Sequence, residues 1–460
     1  MIKYKKISQP EIEENLCPVL ITDETIEYRK ERVLEKMKDE DVDALVIYAD
    51  LEHSGNFEYL CGFVPRFEEA LLVLHQSGKA YVVLGNENLN KASKARISVT
   101  AVHMPQLSLP NQPMFEGKSA TEILSVCELS TSKTIGLVGW KNFVGGMEEG
   151  SKLFDMPYFL VSAIQELSPN ATLVNKTSIF IGKGGVRQVN NANEIAHYEF
   201  GAALSGNCIL NAMNKMEAGM SELEVASELG AFGQYHNVVT IMSSGKRFVK
   251  ANIYPTCKSI KLGDPISMTT SFKGGLQSRG GYAVSKSEEL DAFSEDYLER
   301  LAKPYYNAVT EWVSTIQIGM QGGQLYDHIE TIFPKKDYGW YLNPGHLSSD
   351  EEWMASPIYS DSNEIIKSGM IFQVDIIPSV DGFAGASCES GVCIADKSLR
   401  QELEKGYPEV WRRITKRQAY MREVLGINLP EHVLPTSNAT LFYRPYLLNK
   451  EMALTVEGGR

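Results

Sequence analysis

The stretch Asp43-Ala44-Leu45-Val46-Ile47-Tyr48 is a short, almost unbroken apolar run, and the segment before it, 23–39, carries acids early and Lys/Arg late. The run reads as a buried strand, and the segment before it as a helix. Ala70-Leu71-Leu72-Val73-Leu74 and Ala80-Tyr81-Val82-Val83-Leu84 flank Gln76-Ser77-Gly78-Lys79, which predicts a hairpin. Thr134-Ile135-Gly136-Leu137-Val138-Gly139 predicts another strand. Helix and strand alternate from about 23 to 168, the pattern of a small α/β unit. A chain of 460 residues is too long for one such core, so a second domain follows.

The polar stretch Ser168-Pro169-Asn170 leads into it. From Asn193 the spacing predicts a long helix with Ile195, Tyr198, Ala202, Ile209 and Met213 on one face, ended by Ala218-Gly219. Ser221 and Glu224 form a capping box for the next helix. A strand-rich stretch (238–290), a helix (about 294–317), more strand (367–395) and a helix near 407–425 complete the pattern.

Composition excludes several classes. A net charge of −13, with Lys/Arg scattered among acids, gives no basic patch for nucleic acid or an anionic membrane. No apolar run reaches the length of about 18 residues that a membrane span needs, and Met1 to Pro10 lacks an apolar signal core. Seven cysteines without a CxxC pair fit neither a disulfide framework nor a zinc ribbon, and a reducing cytoplasm is expected.

Several strings, in order, carry a resemblance. Val186-Arg187-Gln188-Val189-Asn190-Asn191-Ala192-Asn193-Glu194-Ile195 is similar to an "LRxIKSxxEI" entry string, and Ile260-Lys261-Leu262-Gly263-Asp264 to an "IKPGD" turn. Pro344-Gly345-His346 matches the start of a "GHGIG" loop. Lys367 to Asp375 resembles "LKPGMVFTVEP", and Cys388-Glu389-Ser390-Gly391-Val392 resembles "RIEDTVLV". Tyr59-Leu60-Cys61-Gly62-Phe63 and Arg66 to Leu71 add an N-terminal match. Together they resemble the creatinase/prolidase family, the pita-bread metallopeptidases of family M24. The resemblance implies an α/β chain: a creatinase-like N-terminal domain (1–175), a pita-bread domain of the α+β type with pseudo-two-fold symmetry (180–400), and a C-terminal helix and tail (401–460) packed on it.

The resemblance also implies a ligand set of two Asp, one His and two Glu around a pair of divalent ions, and this chain departs from it. Five residues beyond Asp264, where the first Asp belongs, stands Thr269. The "GYxxD" hairpin is best matched by Gly275-Leu276-Gln277-Ser278-Arg279, which puts Arg279 at or next to the second Asp position. His346 and Glu389 survive, and Asp375 replaces the first Glu. Two family histidines are replaced by Asn252 and Trp353. A threonine gives no carboxylate and a guanidinium repels a cation, so a two-metal centre is not expected.

Two readings follow for the acids left behind. Arg279 either repairs the vacated site as a static ion pair with Asp375 and Glu389, or lines a metal-free pocket with them as an anchor for an anionic substrate. In the second reading His346 shuttles a proton and Glu389 acts as acid or base. Creatinase is similar in hydrolysing a C–N bond without metal on this fold, but its proton-carrying histidine falls at Asn252. Phe63 and Arg66 lie in the loop that, in this family, reaches a partner's pocket. Tyr282 and Trp353 are aromatic candidates for stacking on a ligand, and Lys246 and Arg247 follow a substrate-side turn.

The expected function is a metal-independent, creatinase-like hydrolase or lyase acting on a C–N bond of a small carboxylated amine, amide or guanidino compound, without cofactor. His346, Glu389 and Asp375 are the catalytic candidates. Arg279, Thr269, Asn252, Arg66, Phe63, Tyr282 and Trp353 are the substrate contacts. The alternatives are an Xaa-Pro-peptidase-like metallohydrolase with one divalent ion on His346, Asp375 and Glu389, and a non-catalytic small-molecule-binding homologue. A cytoplasmic homodimer without nucleic-acid or membrane partners is expected.

Overall fold

The computed structural model describes residues 1–112, 117–146, 149–245 and 253–458. The chain forms two compact units, Ile21–Gln188 on one hand and Met1–Leu20 with Val189–Arg460 on the other. Ile2–Lys6 is β1, and it pairs antiparallel with the last strand, Met452–Val456. The boundary expected at 1–175 is thereby corrected: Met1–Leu20 belongs with the second unit, because its backbone finds its ladder partner there. Residues 401–460 are likewise part of that unit.

The first unit is built on one six-stranded sheet. Its strands are β2 (Ala44–Ala49), β3 (Ala70–His75), β4 (Ala80–Leu84), β5 (Thr100–His103), β6 (Thr134–Val138) and β7 (Thr172–Asn175). The spatial order is β5-β4-β3-β2-β6-β7, with β2 and β6 parallel and the β3–β4 hairpin antiparallel. Helix Asp23–Asp39 begins at Thr22, whose hydroxyl accepts from the Thr25 amide at 3.2 Å. Asp23 and Glu24 lie in its first turn and Lys36 and Lys38 in its last, each on the favourable side of the helix dipole. Val46, Val73, Val83, Leu137 and Leu160 share the core.

The second unit carries two sheets. Strands β8 (Ile241–Ser244), β9 (Pro265–Phe272) and β10 (Gly275–Tyr282) form one. Strands β11 (His346–Leu347), β12 (Ile371–Val374), β13 (Ser390–Ile394) and β14 (Val433–Pro435) form the other, and Met452–Val456 is β15. The sheets meet along β10: the Ser278 amide donates to Glu389 O at 3.3 Å and the Gly280 amide to Ser387 O at 3.1 Å.

Helix Ala192–Lys215 starts with the Asn191/Glu194 capping box and buries Ile195, Tyr198, Ala202, Ile209 and Met213. It lies so close to the β9–β10 turn that a Cβ on Gly201 would stand 1.9 Å from Lys273 O, so only glycine fits. Glu199 of the same helix pairs with Arg413 and Arg417 of helix Pro408–Glu423 at 2.5 and 2.6 Å. Arg417 also holds Glu13 at 2.5 Å, which ties the N-terminal segment to the unit. The helix predicted near 294–317 opens with a π-helical turn, Leu298–Ala302, and continues as α over Lys303–Thr315. Among the described residues no helix is long and apolar enough to cross a membrane.

Candidate functional site

The loop before His346 is fixed from both sides. Trp312 Nε1 donates to Pro344 O at 2.7 Å, and Gly345 has φ +119, where a Cβ would meet Gln373 O at 2.9 Å. This turn delivers His346 into register opposite Gln373 of β12. The imidazole is fully buried and stacks on Trp353, with centroids 4.1 Å apart and planes 23° from parallel. Asp375 directly follows β12 and Glu389 directly precedes β13. Val374 pairs with Ser390, so both carboxylates leave the sheet at the same end.

His346 Nε2 stands 2.9 Å from Glu352 Oε1 and 3.9 Å from Asp375 Oδ2. The Glu352 oxygen lies off the N–H direction, so Nε2 is a buried nitrogen with no hydrogen-bond partner. His346, Glu352 and Glu389 each offer a ligand atom, and these atoms all lie within 4.8 Å of one another. Glu352 is the residue that sequence reasoning passed over. It sits in irregular chain, where no periodicity marks a facing, and the available signal was the acidic run Asp350-Glu351-Glu352 shortly after His346.

The electrostatics follow from burial among acids. Burial disfavours the imidazolium of His346, but Glu352 and Asp375 outweigh it and hold the group above its ordinary value. Burial pushes Asp375 up to about 6 against the pull of His346, with Glu352 adding to the rise. Burial and then the neighbouring charges of Asp375 and Glu352 hold Glu389 well above the carboxylate range, and the more distant pull of Arg279 does not compensate.

The β9–β10 hairpin corrects one expectation. Thr269 and Ser278 are cross-strand partners, both face the cavity, and Thr269 Oγ1 donates to Ser278 Oγ at 2.9 Å. Arg279 is the next residue and turns to the opposite face, as strand alternation requires. Its fully buried guanidinium donates to Ser278 O, Glu389 O, Ala439 O and Gln277 Oε1, at 2.7, 3.0, 2.5 and 3.2 Å. It neither pairs with Asp375 or Glu389 nor lines the pocket; it is solvated by main-chain carbonyls behind them.

The cavity in front of these groups has a volume of about 370 Å³. Ile241, Ile266, Leu276, Leu342 and Ile377 wall it, with Trp353 over His346. Tyr282 does not line it, which corrects its expected stacking role. Its hydroxyl accepts from the Ala384 amide at 2.7 Å, and its ring packs edge-on against Tyr297 at 4.8 Å. Asn252, Lys246 and Arg247 lie outside the described residues. Phe63 and Arg66 belong to the first unit, where Phe63 packs edge-on against Phe57 at 5.3 Å and Arg66 is exposed. Beside it, Glu68 turns inward to accept from Asn88 Nδ2 at 3.0 Å.

The donor set can be tested against a divalent ion on its own geometry. His346 Nε2, Glu352 and Glu389 converge, with Nε2 and Glu352 Oε1 2.9 Å apart. One imidazole and two carboxylates are a workable set for one ion. A second ion does not fit, because the two positions that would serve it are neutral hydroxyls already bonded to each other.

Residues 196–401 match the model of metallopeptidase family M24. No curated protein sequence matches the chain. Among solved structures it is similar to an Xaa-Pro dipeptidase from Bacillus anthracis (TM-score 0.61, 17% identity, covering 81% of this chain and 96% of that one). It is similar to the prolidase from Pyrococcus horikoshii OT3 (0.61, 15%, 80% and 95%). A recombinant prolidase from Thermococcus sibiricus gives 0.63 at 16% identity, covering 81% and 95%. At such identities the likeness establishes the fold: the chain is an α/β protein with the fold of these structures, and within it residues 196–401 match the metallopeptidase family M24 model.

Proposed function

We propose that the chain is a hydrolase of the M24 type whose cavity is built to hold one divalent cation through His346, Glu352 and Glu389, with Asp375 beside it. The observation that carries this reading is the turned-away Arg279. With its guanidinium committed to carbonyls, the described lining residues include three carboxylates and no cationic side chain. Buried carboxylates that close must take up protons or a cation. The unpartnered Nε2 of His346 beside two of them favours the cation.

A cation in such a site polarises a carbonyl and makes bound water acidic. The chain's own residues supply the rest. The Trp312–Pro344 bond and Trp353 stacking fix the imidazole plane. Asp375, its carboxyl raised towards neutrality by burial, is placed to take and return a proton. The apolar walls keep bulk water from the reacting bond. The Xaa-Pro dipeptidase and prolidase names of the similar structures support amide hydrolysis as the reaction class.

The metal-independent, creatinase-like reading is the second one, and one observation favours it. Burial and the neighbouring acids Asp375 and Glu352 hold Glu389 well above the carboxylate range, which favours its acid form as a proton donor to a leaving nitrogen. The carboxylate anchor in that reading has lost its support, since Arg279 does not face the cavity.

Metal analysis of the purified protein separates the two. The single-cation reading expects about one equivalent of Mn, Zn or Fe, and a thermal midpoint that falls with a chelator, because an ion that binds only the folded state stabilises it by mass action. Glu352→Gln should weaken that binding by at least tenfold, as loss of one charged ligand does. Sub-stoichiometric metal and a midpoint indifferent to chelator would leave the metal-free reading standing.

A further inference from the structure

Resting on that reading of the site, we infer that the cavity selects an apolar amide without a free carboxylate, such as an amino-acid amide or a blocked peptide, over the corresponding free acid. Three features of the described residues converge on this. The walls are apolar, from Ile241 and Ile266 on one side to Leu342 and Ile377 on the other, and a cavity of about 370 Å³ suits a leucine- or phenylalanine-sized group. The polar groups facing it are Ser267, Thr269, Ser278 and Ser387, which hydrogen-bond a neutral amide, together with the acids. Arg279, expected to anchor an anionic substrate, is sealed behind the sheet.

With one divalent ion on His346, Glu352 and Glu389, the ion and its two carboxylates balance, Asp375 stays in excess, and a ligand carboxylate lying along the apolar walls has no described side chain to pair it. Like charges in a low-dielectric pocket repel strongly, and a buried unpaired anion keeps its desolvation penalty. Replacing the carboxylate by a carboxamide removes both terms and leaves a group that the serine and threonine hydroxyls can bond. Trp353, half-exposed over His346, offers a flat apolar face for the side chain of the ligand.

The test uses the full chain and matched probes: leucinamide against leucine, and phenylalaninamide against phenylalanine. Affinities are read by calorimetry on the otherwise unchanged chain. Each amide is expected to bind at least tenfold more tightly than its acid. Leu342→Lys, a cation placed on the half-exposed rim, should shrink or reverse the preference by drawing the acids in. Acids binding as tightly as amides, or a preference untouched by Leu342→Lys, would overturn the inference. The measurement is made on metal-loaded and on chelator-treated protein. An amide preference in protein that takes no metal would sink the single-cation reading alone; one equivalent of metal with no amide preference would sink this inference alone.

Discussion

The four-member charge network under helix Ala192–Lys215 makes a sharp prediction for Glu199→Gln. Glu199 is 1% exposed and accepts from Arg413 Nε and Nη2 at 2.9 and 2.5 Å and from Arg417 Nη2 at 2.6 Å. Arg417, 4% exposed, also holds Glu13 at 2.8 and 2.5 Å. Two guanidiniums and two carboxylates make the network neutral; the glutamine leaves it with one uncompensated buried positive charge. Removing one partner of a buried ion pair costs about 3–5 kcal/mol, because the survivor stays desolvated. With a urea m-value of about 3 kcal/mol/M, the midpoint should drop by roughly 1–1.7 M. In a Trp140→Phe background the remaining tryptophans, 312, 340, 353 and 411, all lie in the second unit, so their fluorescence follows that unit alone. A midpoint shift under about 0.3 M, less than about 1 kcal/mol by the same slope, would refute the view that this network is tightly coupled.

Two further outcomes follow from the geometry. Arg279→Lys keeps the charge but offers three donors for four acceptors, so the second unit should lose at least about 1.5 kcal/mol by urea unfolding while metal content is unchanged; an anion anchor would instead leave stability intact and weaken ligand binding. Burial raises the carboxyl of Glu222, but hydrogen bonds from Ser244 and Thr256 outweigh it and leave it below its ordinary value. A carboxylate depressed in the folded state adds stability above the unfolded value of about 4.3 and loses it as pH falls through the folded one, so the thermal midpoint should fall below that pH and fall less steeply in Glu222→Gln.

How much of this was legible depended on period and on register. The strands β2, β3 and β4 and helix Asp23–Asp39 declared themselves through continuous apolar runs and end charges, and the capping box at Ser221 and Glu224 is present as read. His346, Asp375 and Glu389 were placed by their distances from recognisable turns, and the sheet brings them together. Arg279 shows the limit. A one-residue doubt in register turns a helical side chain by about 100° but fully reverses the face of a strand residue, so the same sequence distance put either a guanidinium or the hydroxyl of Ser278 into the pocket. Glu352 and the β1–β15 pairing were out of reach for another reason: both join segments through tertiary contacts that leave no local pattern.

The hydroxyl pair offers a direct test of the single-cation reading. Thr269 and Ser278 are directly opposed on β9 and β10, both face the cavity, and Thr269 Oγ1 donates to Ser278 Oγ. If loss of two carboxylates is what limits the site to one ion, then Thr269→Asp with Ser278→Asp should restore capacity for a second. Two more acids added to Glu352, Asp375 and Glu389 leave five carboxylates in one pocket, so the metal-free variant should be markedly less stable than the parent. Its thermal midpoint should then climb steeply as Mn²⁺ is added, with titration ending near two equivalents. A variant that folds, is destabilised without metal, and still stops at one equivalent would mean that the missing carboxylates are not the cause. The geometry around His346 would then have to be reconsidered first.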